Sequence, residues 1–263
     1  MAVMSDEQGT WLYAVAGDLG RGGLPPLTGV AEEPLRTVEA GGLVAVVGSV
    51  PLSSFGDEAL RRNLEDLDWL ARVARAHDNV VDAVARAGPA VPLRLATVYL
   101  DDERVEQVLR KRAADFERTL GRVAGRREWG VKALLEREPE RQPAATSGGP
   151  SRPGAGAAYL KRKREQHQTR QRHEQLAAEE AGHIYAVLAE RAVDARRHRP
   201  QSQQLSGAQS PMILNAAYLV DSAAEREFTR AVAVLDSEHE SVRLQLTGPW
   251  PPYSFSELED NDE

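Results

Sequence analysis

Residues 212–255 read MILNAAYLVDSAAEREFTRAVAVLDSEHESVRLQLTGPWPPYSF. Met212 to Val220 has the length and apolar content of a strand. Ser222 with Glu225 has capping-box spacing and predicts a helix packing through Phe228, Ala231, Val232 and Leu235. Val242, Leu244 and Leu246 then alternate in a closing strand that stops at Gly248-Pro249. The segment predicts strand, helix and strand. It ends in a proline and aromatic cluster, Pro249-Trp250-Pro251-Pro252-Tyr253, that matches no enzyme motif.

Upstream, Gln203 to Ser206 is expected to pair with Met212–Val220 as a hairpin around Gly207. Before it, Ala157 to about Arg197 lacks proline and has only Gly182 as a glycine, so it reads as one long helix of up to ~60 Å. Residues 161–175 carry no aliphatic or aromatic side chain and cannot bury a stripe in their own domain. Leu176, Ala177, Ala181, Ile184, Leu188 and Ala192 restore a packing face. This half is expected to be a small sheet with one long and one short helix.

In the first half, Thr10 to Ala16 reads as a strand with Trp11, Tyr13 and Val15 on one face and Leu12 and Ala14 on the other. Leu43 to Val50 is a continuous apolar run between Gly41-Gly42 and Pro51, as expected of a buried central strand. A helix from about Asp57 carries Leu60, Leu64, Leu67, Leu70, Ala71 and Ala74, with a break expected near His77 before Val80, Val81 and Val84. Val91 to Leu100 reads as extended. Asp101 then caps a helix through Val105, Val108, Leu109, Phe116 and Leu120 to Gly121. Trp129, Val131 and Ala133 alternate in a last strand over Arg126 to Leu135. Strands alternating with helices predict a mixed sheet with helices on one face. Glu138 to Gly156 turns to Pro, Gly, Ser and Ala without periodicity. The expected fold class is therefore α+β in two domains: a domain over 1–137, a linker over 138–156, a domain over 157–256 with a long basic N-terminal helix, and an acidic tail over 257–263.

The chain has 263 residues, 41 % of them hydrophobic, enough for two ordinary cores. It contains no cysteine, so disulfides, thiolate metal sites and thiol nucleophiles are excluded. No apolar run approaches the ~20 residues needed to cross a bilayer, and the N-terminus lacks a basic region before an apolar stretch, so a soluble, unexported protein with no membrane partner is expected. The net charge of −7 is uneven. Between Arg152 and Arg199 eleven Lys or Arg face six Asp or Glu, a local +5, and the remainder carries −12.

Gly17 to Gly23 follows a strand, as a dinucleotide loop should, but Leu24-Pro25-Pro26 stands where a helix N-terminus would receive the phosphates. His167, His173, His183 and His198 are spaced 6, 10 and 15 apart, which puts no two one turn apart for a metal. His77-Asp78 and Asp236-Ser237-Glu238-His239 have the residue types of acyl-transfer sites, but neighbours in sequence do not converge as a triad. No catalytic residue, cofactor or metal site is assigned. The basic run Lys161, Arg162, Lys163 and Arg164, extended by Arg170 and Arg172, has only Tyr159 beside it for stacking. It therefore suits an acidic protein surface better than nucleic acid. Trp250 and Tyr253, held among prolines, have the makings of a partner platform, or of a chain end packed onto its own domain.

Several separate motifs follow one another along nearly all of the folded chain: Trp11-Leu-Tyr-Ala-Val15, Ala76-His77-Asp78 through Val80-Val81 to Pro92-Leu-Arg94, and Glu128-Trp-Gly-Val-Lys132. Then come Gly156 to Arg164 with Tyr159-Leu160, Leu214-Asn-Ala-Ala-Tyr-Leu-Val-Asp221, and Leu246-Thr-Gly-Pro-Trp-Pro-Pro-Tyr-Ser-Phe255. In this order they resemble the gas vesicle protein GvpF/GvpL family. The resemblance implies a non-enzymatic accessory or minor structural protein of gas vesicles, the hollow protein-walled compartments that provide buoyancy. It also implies partners in the shell protein and other gas vesicle accessory proteins, and a place in the cytoplasm and on the vesicle. The fold it implies is two α+β domains, the second a ferredoxin-like layer joined to a long helical element. The family supplies no settled ligand residues, so the partner-binding candidates are Lys161, Arg162, Lys163, Arg164, Arg170, Arg172, Trp250 and Tyr253. The competing reading is a two-domain regulatory or nucleic-acid-associated protein using the same basic helix.

Overall fold

The computed structural model describes residues 7–20, 23, 27–135, 164, 172, 175–200, 210–239 and 241–257. The fold is α+β with two antiparallel sheets. Contacts divide the chain into two units, Met1–Glu128 with Pro249–Glu263, and Trp129–Gly248. The expected linker, 138–156, lies outside the described residues, and the division falls upstream of it because the strand beginning at Arg126 belongs to the second sheet.

The first unit is organised around β1 (Gln8–Ala16), buried at every position but the first. It pairs antiparallel with β3 (Leu43–Pro51) on one side, and on the other with β4 (Ala90–Pro92) and β5 (Val98–Tyr99). β2 (Leu35–Ala40) forms the far edge against β3. Its sequence, LRTVEA, is too short and too charged to stand out as a strand. The sheet is antiparallel, which corrects the expected mixed sheet. β3 and β4 both run opposite to β1 and so share a direction, but β1 lies between them and no parallel pair forms.

Helices cover both faces of this sheet, not one. The helices α1 (Leu52–Phe55), α2 (Asp57–Asn63) and α3 (Leu67–Ala87) lie in the connection from β3 to β4. Val73, Val80, Val81 and Val84 of α3 pack with Trp11, Tyr13, Ala14 and Ala16. On the opposite face Leu12 and Val15 pack with Val105 and Leu109 of α4 (Asp102–Lys111) and Phe116 and Leu120 of α5 (Ala113–Val123). The β1 register shifts between Leu12 and Ala14. This bulge inserts one residue and turns later side chains over, so Ala14 joins Trp11 and Tyr13 while Val15 joins Leu12, opposite to strict alternation.

Local signals fix the helix ends. The Asp66 side chain accepts from the Asp68 and Trp69 amides and starts α3, so the break falls at residues 64–66 and α3 runs unbroken through His77. Asp101 caps α4 through the Arg104 amide, as expected. The run expected to reach Gly121 divides at Arg112 into α4 and α5.

The second unit contains β6 (Arg126–Leu135) from Trp129 onward, α6 (residues 175–189), β7 (Asp194–Arg197), β8 (Met212–Asp221), α7 (Glu225–Glu238) and most of β9 (Val242–Trp250). The sheet order is β7-β8-β6-β9. Trp129, Val131 and Ala133, Leu214 to Val220 at alternate positions, and Val242 and Leu244 meet Ala181, Ile184 and Leu188 of α6 and Phe228, Val232 and Leu235 of α7 in one core. Each large side chain so buried contributes about 1.5–3 kcal/mol.

Three expectations change here. The helix stops at residue 189, and residues 194–197 pair with β8 at register Asp194↔Leu219. β8 thus takes β7 as its neighbour, while 203–206 lie outside the described residues. The Ser222–Glu225 capping box does not form, because Ala224 closes a turn onto Asp221 and becomes the N-cap with no side-chain cap. β9 continues past Gly248, at φ 114°, to Trp250.

Candidate functional site

The functional candidates of the first unit gather on the α3 face of β1. Strand alternation puts Trp11 and Tyr13 on the face of β1 toward His77, which sits mid-way along α3 and is 1 % exposed. Trp11 Nε1 donates to His77 Nδ1 at 3.1 Å, so the ring proton is on Nε2, which lies 3.1 Å from the Leu93 carbonyl and donates to it. The Tyr13 ring stacks on the imidazole at 5.4 Å. Burial holds the His77 pKa below its usual 6.5, against smaller opposing effects of the Leu93 carbonyl and Asp78.

Tyr13 extends this cluster outward. Its hydroxyl donates to Glu33 Oε1 at 2.6 Å and accepts from the Val30 amide at 2.8 Å, and Glu33 Oε2 accepts from the Ala31 amide at 2.7 Å. The Glu33 carboxylate is 9 % exposed and lies against Gly29 and Gly48, where a Cβ on either residue would collide with it. Burial, and then Glu33, raise the Tyr13 pKa far above the ordinary tyrosine range.

The chain end closes over the same face. Pro251 and Pro252 are buried, and the Tyr253 hydroxyl donates to Asp78 Oδ1 at 2.9 Å with its ring 6.4 Å from that of His77. Ser254 donates through its amide and its hydroxyl to the two oxygens of Glu128, each at 2.7 Å. Phe255 is fully buried beneath the Arg122 guanidinium, and Arg94 pairs with Glu257 at the surface at 2.7 Å. Burial and the Asp78 carboxylate push the Tyr253 pKa up strongly. Both nitrogens of His77 and the carboxylates of Glu33 and Glu128 are thus consumed in holding backbone and aromatic groups. Chemically the cluster is a clasp.

Of the predicted site residues, Tyr253 is half-buried in this clasp, whereas Trp250, at the end of β9, is 54 % exposed. Arg164 and Arg172 are helical and exposed. Lys161, Arg162, Lys163 and Arg170 lie outside the described residues. The second unit brings together a pair that sequence spacing missed: His239, at the end of α7, places Nε2 3.1 Å from Glu180 Oε1 and its ring 6.2 Å from that of His183. Among the described residues no group of three His, Asp or Glu could hold a metal ion. A depression of about 310 Å³ in the second unit is lined by Glu190, Arg191, Val193, Asp221, Glu227 and Phe228.

The family model described as gas vesicle synthesis protein GvpL/GvpF matches residues 9–257. The chain belongs to the GvpL/GvpF family. It is 40 % identical to gas vesicle protein L of Streptomyces sp. (strain CB03234), over 98 % of this chain and 97 % of that protein. It is 30 % identical to gas vesicle protein L1 of Halobacterium salinarum, over 87 % and 83 %. The crystal structure of GvpF from Anabaena sp. PCC7120 superposes with a TM-score of 0.65 at 22 % identity, covering 95 % of this chain and 96 % of that one, which shows a shared fold. In this GvpL/GvpF chain the separated motifs Trp11 to Val15, Ala76 to Arg94, Glu128 and Tyr253 to Phe255 supply the clasp between them. Glu33, Gly29 and Gly48 were invisible beforehand. A buried acid in a polar loop has no periodic signal, and its glycine neighbours meet it only in the fold.

Proposed function

We propose that this GvpL/GvpF chain is an accessory or minor structural protein of gas vesicles that binds the shell protein and other gas vesicle accessory proteins and assists assembly. The family match over residues 9–257 carries the proposal. The chemistry of the clasp supports a binding role without catalysis, because its imidazole, phenols and carboxylates are spent on internal hydrogen bonds. The physical need is clear: a small hydrophobic subunit that polymerises into a wall requires a charged, soluble partner until it does so. Such a partner works in the cytoplasm and on the vesicle.

Two surfaces are assigned to partner contact. One is the basic run Lys161, Arg162, Lys163 and Arg164 with Arg170 and Arg172. The other is the exposed Trp250, held rigid by the prolines beside it and by the Tyr253 anchor. In this reading the two units act as separate domains. Among the described residues, the β-α-β-β-α-β order of the second, with strand order β7-β8-β6-β9 and α6 and α7 packed into one core, supports a ferredoxin-like layer.

Co-expression with a gas vesicle shell protein tests the proposal: co-purification and reduced shell-protein aggregation are expected, and neither occurring would reject it. Reversing the charge of Lys161, Arg162, Lys163 and Arg164 should weaken binding and flatten its salt dependence. Trp250→Ala should leave the fold intact, since the side chain is exposed, and lower affinity. Unchanged binding by either variant removes that surface from the assignment.

A further inference from the structure

Trp250 combines an exposed side chain with a confined backbone. It ends β9 and is 54 % exposed, yet Pro251 and Pro252 directly after it are buried and Phe255 is fully buried. A residue before proline is restricted to extended conformations, so Pro251 ties the backbone of Trp250 to the strap formed by residues 251–257. Where the strap sits decides where the indole points.

The polar contacts of the strap are unequal. The Tyr253 hydroxyl meets Asp78, and Glu257 meets Arg94, at exposed carboxylates where solvent competes. Glu128 differs. It lies on β6, the neighbour of β9 in the sheet, is 9 % exposed, and accepts from the Ser254 amide at one oxygen and from the Ser254 hydroxyl at the other, each at 2.7 Å. Two charge-assisted bonds from one planar carboxylate to two donors of one residue fix its orientation as well as its place. Burial raises the cost of breaking them, because each oxygen would lose a donor where water does not readily replace it. We infer that Glu128 is a positioning residue for Trp250: through Ser254 it seats the strap, and the seated strap sets the exposed indole. Its bearing on binding rests on the assignment of Trp250 to partner contact, whereas the seating of Trp250 is measurable with no partner present.

Fluorine NMR of the full chain labelled with fluorotryptophan tests both. The four tryptophans give four resonances, and that of Trp250 is the one missing from Trp250→Phe. Glu128→Ala should move the Trp250 resonance toward that of an unstructured peptide while the Trp69 resonance and the circular dichroism stay as in the parent. General loss of stability would not move a native resonance. Exchange of the Phe255 and Ser256 amides should quicken ~10-fold in Ser254→Ala, which keeps the amide bond, and ~100-fold in Glu128→Ala, which loses both. Ser254→Thr keeps the hydroxyl and should keep the parent's resonance and exchange. Affinity for the gas vesicle shell protein should fall at least ~3-fold in Glu128→Ala, as the seated fraction drops. A Trp250 resonance and strap exchange that neither variant alters overturn the inference, as does a moved resonance with full affinity when Trp250→Ala weakens binding. A moved resonance with binding indifferent even to Trp250→Ala supports the seating by Glu128 and rejects the partner-contact assignment.

Discussion

His77 shows how one side chain ties three parts of the first unit together. It accepts from Trp11 of β1, donates to the Leu93 carbonyl after β4, and stacks against Tyr13. These bonds require the neutral ring. Because burial lowers its pKa below 6.5, the unfolded chain takes up the proton first as the pH falls. The stabilisation from neutral His77 is complete above pH 6.5 and is lost progressively below it, down to the folded pKa, at about 1.4 kcal/mol per pH unit of that window. Urea titrations at about pH 7.5 and 5.5 should show a smaller drop in stability for His77→Gln than for the parent, since glutamine does not titrate. Equal drops would mean that other groups carry the acid sensitivity. His77→Gln should also lower stability at the higher pH by roughly 2–3 kcal/mol, through the changed bonds to Trp11 and Leu93.

At the scale of elements, β3 and the chain end illustrate two kinds of constraint. Gly48 in β3 has ordinary strand surroundings in sequence, yet a Cβ there would strike the Glu33 carboxylate. Gly48→Ala should cost about 2–3 kcal/mol, by displacing Glu33 from Tyr13 and the Ala31 amide. In a double-mutant cycle the cost should shrink when Glu33 is already alanine, and simple additivity would refute the collision. The segment after β9 depends on one large residue. Phe255→Ala should destabilise by about 3–5 kcal/mol, while Glu257→Gln at the exposed Arg94 pair should cost less than about 1 kcal/mol. Thermal denaturation of the two variants checks the ranking. The strands called from sequence were those with long apolar runs. β2 and β7 were missed because short strands rich in charge are held by their neighbours, not by their own pattern.

For the whole molecule, the division into units gives a test of boundaries. Trp129, Val131 and Ala133 belong to the core shared by α6 and α7. A fragment of residues 129–248 should therefore fold cooperatively, with a single sharp thermal transition, whereas one of residues 157–256 lacks a central strand and should not. The opposite result would restore the boundary expected at the Pro- and Gly-rich stretch. The sequence by itself determined the α+β class, the strands β1, β3, β6, β8 and β9, the Asp101 cap and the family, because long apolar periodicity and spaced motifs are local properties of the chain. Tertiary structure alone decided the rest: antiparallel pairing, helices on both faces of the first sheet, the bulge that exchanges Ala14 with Val15, and the convergence of Trp11, His77, Glu128 and Tyr253. Each of these depends on which distant segment lies alongside, a choice made by packing and buried hydrogen bonding that no local pattern of side chains records.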